Sequence, residues 1–138
     1  NLGSILRTAA AFGIEQVLIG PRTADPLARR TVRVSMATVL HQTLYRLDCP
    51  QAQLSDLQRT REIRTIVTTL DRDATPLNEF VSDDRANILV VGNEAEGVDR
   101  SIQEIASDRV TIPMQLGTDS LNVSVAAAIF MYELLQRR

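Results

Sequence analysis

Short β-branched runs alternate along this chain with longer segments whose apolar positions recur every three or four residues. Ile5, Leu6, Ala9 and Ala10 fall at helical spacing, and Gly13 supplies a stop for that helix. Gln16, Val17, Leu18 and Ile19 then make a short buried strand closed by Gly20 and Pro21. Helix is predicted over 31–40, strand over 42–47 and a surface helix carrying Leu54 and Leu57 over 51–61. A β-branched strand follows over 63–70, and 76–80 is a helical turn at most. Residues 88–91 read as the clearest central strand, followed by helix over 98–106, strand over 109–112 and a terminal helix over 121–138. Strands separated by helices give an α/β fold with a parallel sheet flanked by helices, whose ligands lie at the carboxyl ends of the strands. Gly92 and Pro113 both fall at such ends.

Composition narrows the class without naming a chemistry. A chain of 138 residues, 44% hydrophobic and 23% charged, is long enough for one domain with a substantial core. It has no apolar run long enough to span a bilayer and no secretory signal pattern. Cys49 is the only cysteine, so no disulfide can form within the chain, and a reducing cytoplasm is the simplest location. No Cys/His cluster has metal-ligand spacing. The net charge of −2 argues against indiscriminate coating of nucleic acid, although all 15 basic residues are Arg.

The richest chemistry lies between Ile112 and Ala126. A strand ending in Ile112-Pro113-Met114 runs into a polar loop, and a helix then opens with Ser120, Asn122 and Ser124 among apolar neighbours. Free backbone N–H groups at a helix start favour anionic or electron-rich ligands, and capping accounts for only one or two of these polar side chains. Two other segments carry the same mixture. One is Asn1, Gly3 and Arg7; the other is the turn formed by Gly92, Asn93, Glu94 and Gly97.

Taken in order, the three segments resemble the motifs of the SpoU/TrmH-type SPOUT RNA ribose 2′-O-methyltransferases. Asn1, Gly3 and Arg7 fit the first motif, Gly92-x-Glu94-x-x-Gly97 fits the second, and Ile112-Pro113-Met114 with the run from Ser120 to Ala126 fits the third. The resemblance covers nearly the whole chain. It implies transfer of a methyl group from S-adenosylmethionine to a ribose 2′-hydroxyl of tRNA or rRNA by a homodimer. It also implies a deep trefoil knot in the C-terminal segment, which periodicity alone would never suggest because true knots are essentially absent from proteins. The family's first motif follows a short apolar strand, so that strand and any RNA-binding segment before it are expected upstream of Asn1.

Carried over residue by residue, the cofactor would be held by Gly92, Asn93, Glu94, Gly97, Ile112, Met114, Leu121 and Asn122, largely through the main chain. Arg7 would be the central catalytic residue, with Asn1, Glu94, Ser120 and Asn122 around it. A guanidinium resists deprotonation, so its expected role is a bidentate clamp on the phosphate beside the target ribose and a stabiliser of charge on the 2′-oxygen. RNA phosphates would pair with Arg7, Arg29, Arg30 and Arg33; Arg59, Arg61 and Arg64 form a weaker cluster. Only 4% of residues are aromatic, which disfavours a base-stacking platform. Family members often carry Ser-x-Gly where this chain has Ser35-Met36-Ala37, which leaves the RNA unassigned.

The stripe of Val125, Ile129, Met131 and Tyr132 reads as core, His41 as packing or surface, and Cys49 as a loop residue. Two other classes stay open: a catalytically inactive RNA-binding paralogue, and a Rossmann-like nucleotide-binding domain. The second lacks a Gly-x-Gly-x-x-Gly loop after its first strand.

Overall fold

The computed structural model describes residues 1–93 and 95–136. Its elements are α1 (Leu2–Ala11), β1 (Gln16–Ile19), α2 (Arg29–Val34), β2 (Thr43–Arg46), α3 (Pro50–Arg61), β3 (Arg64–Thr68), β4 (Thr75–Pro76), β5 (Asn87–Val90), α4 (Arg100–Ile105), β6 (Asp108–Thr111) and α5 (Val123–Gln136). They fall into two compact units, Asn1–Pro50 and Gln51–Arg138, each with its own parallel sheet. The expected alternation of helix and strand is therefore present. Residues 137 and 138, the end of the predicted terminal helix, lie outside the described residues.

In the first unit β1 pairs in parallel with β2, Gln16 opposite Thr43 and Ile19 opposite Arg46. Helix α1 ends where Gly13 turns left-handed, with the Ile14 N–H reaching back to the Ala9 carbonyl at 2.9 Å. Leu6 and Ala9 are buried on one face of α1. Gly3 is buried as well, for a reason the motif spacing does not reveal. A Cβ there would stand 2.8 Å from the Val34 Cβ and 2.9 Å from the Thr31 carbonyl oxygen. The first-motif glycine thus lets α1 pack directly on α2.

The helix predicted over 31–40 is broken. Helix α2 stops at Val34, and a 3₁₀ turn follows over Thr38–His41. Between them Met36 and Ala37 adopt left-handed φ of 54° and 62°, with the Ala37 N–H donating to Val32 and the Met36 N–H to Arg33. The buried Ser35 hydroxyl donates to the Val32 carbonyl, competing with continuation of the helix. Ala37 stands where the resembled family often has glycine, and left-handed backbone costs an L-residue about 1–2 kcal/mol.

In the second unit the strand order is β4-β6-β3-β5, all parallel. Residues 88–91 were expected to be central, but β5 ends the order and β3 takes the interior place. The short apolar run of β5 could not by itself distinguish the two positions. Ile66 and Val67 of β3 are fully buried. Ile66 and Val110 form the core with Leu77, Phe80, Phe130 and Leu134, so α5 is anchored on the sheet through its second half. Burial of each such side chain contributes about 1.5–3 kcal/mol. Over 76–80, expected as a helical turn at most, the Glu79 N–H donates to the Pro76 carbonyl and the Phe80 N–H to the Leu77 carbonyl, and Thr75–Pro76 at its start adds a two-residue strand on β6.

The amino ends of β3 and β6 are clamped by charge. Arg64 donates to both Asp108 oxygens, Nε at 2.5 Å and Nη2 at 2.8 Å, and to the Val81 carbonyl at 3.1 Å. Its guanidinium carbon lies 4.7 Å from the Phe80 ring centre. The Asp108 hydrogen bonds, reinforced by the charges of Asp108 and Asp83, push the Arg64 pKa above its ordinary value. This corrects the expectation that Arg64 belongs to an RNA-facing cluster: its side chain is 13% exposed and occupied. Arg59 is also engaged, with Asp56 at 2.6 Å.

Two stability measurements follow. Asp108→Ala strands a half-buried guanidinium and is expected to lower unfolding free energy by about 2 kcal/mol, whereas Arg59→Ala at an exposed pair changes it by less than about 0.5 kcal/mol. Equal effects in urea denaturation would contradict the clamp. Ala37→Gly should stabilise by about 1 kcal/mol through released backbone strain; a loss of stability would show that the left-handed turn is not populated.

Candidate functional site

Because the second unit's sheet is parallel, the chain leaves β3, β5 and β6 on the same edge. Val67 is opposite Val90 on one side and Arg109 on the other. The second and third motifs therefore begin at strand ends that flank β3, about 10 Å apart at the usual strand spacing. This is the edge at which open α/β sheets bind ligands.

After β5 the chain doubles back at once. Asn93 and Gly97 form an antiparallel bridge, and the Gly97 N–H donates to the Asn93 carbonyl at 3.0 Å. The Asn93 Oδ1 accepts from the N–H groups of Ala95 and Glu96, each at 2.8 Å. Gly92 must be glycine because a Cβ would overlap the backbone of Gly97 and Val98. Gly97 has φ of 68° with open space around its Cα, so its requirement is conformational. Asn93 therefore has a structural duty that its motif position did not disclose. Glu94, expected in both the cofactor and catalytic sets, lies outside the described residues.

After β6, Ile112 is partly buried and packs against the core, Pro113 is exposed and Met114 is half-buried. Gln115–Thr118 is a tight turn closed by the Thr118 N–H on the Gln115 carbonyl at 3.1 Å. Leu116 and Gly117 at its centre have φ of 56° and 72°, and Leu116 is fully exposed. Among the described residues that turn holds the single backbone–backbone hydrogen bond between Pro113 and Leu121. Most main-chain groups of the loop remain available to a ligand. Ser120 is exposed, and Leu121 is half-buried. The Asn122 Oδ1 accepts from the Ser124 N–H at 2.9 Å and the Ser124 hydroxyl at 2.6 Å, so these two residues cap α5.

Arg7 and Asn1 belong to the first unit. Arg7 is exposed on α1, and the Asn1 carbonyl accepts the Ile5 N–H at 2.9 Å. Arg29, Arg30 and Arg33 are exposed on α2, as the spacing required. The structure thus carries the described residues of the second and third motifs on one sheet edge of the second unit, while Asn1, Arg7, Arg29, Arg30 and Arg33 lie at or on α1 and α2 of the first.

The terminal stripe needs correction. Met131 is buried, but Val125, Ile129 and Tyr132 are 48%, 37% and 53% exposed. Helix α5 is apolar nearly all round, so its pattern could not say which side meets the sheet. His41 and Cys49 are exposed, as expected of surface residues. Among the described residues no group of three or more His, Cys, Asp or Glu could hold a metal ion, and no helix is long and apolar enough to cross a membrane.

Residues 1–132 match the SpoU rRNA methylase family, and the chain belongs to it. A Mycobacterium tuberculosis protein described as an uncharacterized tRNA/rRNA methyltransferase is 41% identical over 136 residues, covering 96% of this chain and 46% of its own length. The Bacillus subtilis 23S rRNA (guanosine(2553)-2′-O)-methyltransferase RlmP is 34% identical over 134 residues, covering 97% of this chain and 52% of its own. An AdoMet-bound rRNA methyltransferase from Sinorhizobium meliloti superposes with a TM-score of 0.89 at 27% identity, covering 98% of this chain and 51% of that one. The chain spans about half the length of these three relatives.

The two motif glycines should respond differently to alanine. Gly97→Ala pays only left-handed strain, about 1 kcal/mol, whereas Gly92→Ala must open the turn and should cost about 3 kcal/mol or more. Equal losses in thermal denaturation would mean that the Gly92–Gly97 contact is not tight.

Proposed function

We propose that the protein transfers a methyl group from S-adenosylmethionine to a ribose 2′-hydroxyl of tRNA or rRNA, in the cytoplasm and as a homodimer. The observation that carries this reading is the pairing, on one sheet edge, of the close Gly92–Gly97 approach after β5 with the open main chain after β6. These loops fit an adenosine: they offer N–H donors and C=O acceptors beside the apolar side chains of Ile112, Met114 and Leu121. The cofactor bound to the S. meliloti enzyme supports the same assignment, and the named specificity of the B. subtilis enzyme supports ribose as the acceptor.

Bound there, S-adenosylmethionine supplies an electrophilic methyl group on a sulfonium. The chain's own contribution is placement. Gly92, Asn93, Gly97, Ile112, Met114, Leu121 and Asn122 hold the donor, with Glu94 assigned to the same turn. Arg7 grips the phosphate beside the target ribose with its planar fork and offsets negative charge growing on the 2′-oxygen. Asn1 of the first motif and Ser120 and Asn122 of the third are assigned to the same catalytic set as Arg7, and Arg29, Arg30 and Arg33 hold flanking phosphates.

The C-terminal segment is assigned a deep trefoil knot. Supporting this, β6 enters late in the chain yet lies between β4 and β3 rather than at an edge. The homodimer is assigned to α5, where Val125, Ile129 and Tyr132 form an exposed apolar stripe at helical spacing.

The test is incubation of the protein with S-adenosylmethionine and unmodified total RNA, followed by nucleoside mass spectrometry. A new 2′-O-methyl nucleoside is expected; cofactor binding without methyl transfer would favour the inactive RNA-binding paralogue. Arg7→Lys should retain cofactor affinity and lose at least about tenfold in kcat/KM, because an ammonium keeps the charge without the fork. Near-native turnover by Arg7→Lys would exclude the clamp.

A further inference from the structure

The sheet edge proposed to hold the methyl donor must also be approached by a polyanion, yet its loops are acidic. Among the described residues of 69–74, 91–99 and 112–122, the charged side chains are Asp71, Arg72, Asp73, Glu96, Asp99 and Asp119. Arg72 is the one cation. It occupies the second position of a turn closed by the Ala74 N–H on the Asp71 carbonyl at 3.1 Å, directly after β3. This is the strand between the two that carry the cofactor motifs.

Its surroundings leave it available. Asp71, its neighbour in sequence, is engaged by Arg109 at 3.3 Å. The Asp71 N–H is also tied, to the Thr69 hydroxyl at 3.2 Å. Arg72 is exposed and makes no hydrogen bond or ion pair among the described residues. Of the other exposed arginines of this unit, Arg59 is engaged by Asp56, Arg85 by Asp83, Arg100 by Glu104 and Arg109 by Asp71, while Arg61 ends α3, before the amino end of β3 and not in the loops of this edge.

We infer that Arg72 is an RNA-backbone contact of the second unit, a guanidinium that receives a phosphate at the edge where the methyl donor is held. The inference rests on the proposed function, since that reading is what brings RNA to this edge. A phosphate near Asp73 and Asp119 experiences repulsion, and one unpaired arginine at the rim both offsets it and fixes the strand's position through two N–H donors. No motif spacing pointed to it, because a lone Arg between two Asp residues reads as a solvated turn.

The experiment measures binding of unfractionated tRNA and of fragmented rRNA by fluorescence anisotropy across a salt series, with S-adenosylmethionine affinity measured separately by calorimetry. Arg72→Gln is expected to weaken RNA binding roughly five- to tenfold at low salt and to reduce the slope of log K against log salt by about 1. Arg72→Lys should keep that slope, and cofactor affinity should stay within about twofold of wild type in both. Arg100→Gln, which removes a cation held by Glu104, should leave RNA binding unchanged. Arg72→Gln with wild-type affinity and slope would overturn the contact while leaving the methyltransferase reading intact. A wild-type protein that binds cofactor but no RNA would overturn both.

Discussion

Strand β3 is hydrogen-bonded along both edges, to β5 on one side and β6 on the other, and the candidate site depends on that ladder. Parallel pairing fixes direction as well as contact. Once Val67 is set against Val90 and Arg109, both motif-bearing loops must emerge on the same edge and at nearly the same level. Thr65, Ile66 and Val67 are fully buried, so β3 is packed on both of its faces and its place between β5 and β6 is held by side-chain packing as well as by the ladder. The Arg64–Asp108 pair acts at the opposite end, joining the first residues of β3 and β6. Apolar packing and one ion pair therefore position loops whose own contacts are few.

Those loops are organised by side chains used as substitutes for backbone. Asn93 and Asn122 each lie just beyond a strand end or before a helix, and each uses its Oδ1 to accept from two donors on the following residues. The device sets the local path without consuming the remaining main-chain groups. Left-handed non-glycine backbone falls in the connections between elements: Leu116 in the loop after β6, Met36 and Ala37 in the turn after α2, and Glu62 between α3 and β3. Each of these non-glycine residues is held left-handed at some cost, which a fold accepts where the surrounding chain leaves no other route.

Much of this was legible in the sequence. The β-branched runs gave β1, β3, β5 and β6, and Gly13 marked the end of α1, because short buried strands and left-handed helix stops have local signatures. The three motif segments also announced themselves by placing polar residues beside apolar runs. What remained hidden was set by partners distant in sequence. The place of β5 at the end of the strand order, the packing role of Gly3 against α2, and the pairing of Arg64 with Asp108 all need the third dimension. The break after Val34 was missed because Ser35 and Ala37 can each sit in a helix, and only their hydrogen bonds reveal the turn. Helix α5 was found, but its solvent-facing stripe was not, since apolar residues surround the helix.

Amide hydrogen exchange with and without S-adenosylmethionine tests the central assignment most directly, because it reports which main-chain groups the cofactor engages. Slowed exchange concentrated in residues 91–97 and 112–122, with smaller changes in the core of β3, is the predicted result. Protection confined to the Asn1–Pro50 unit, or cofactor binding that leaves both loops exchanging as before, would contradict it.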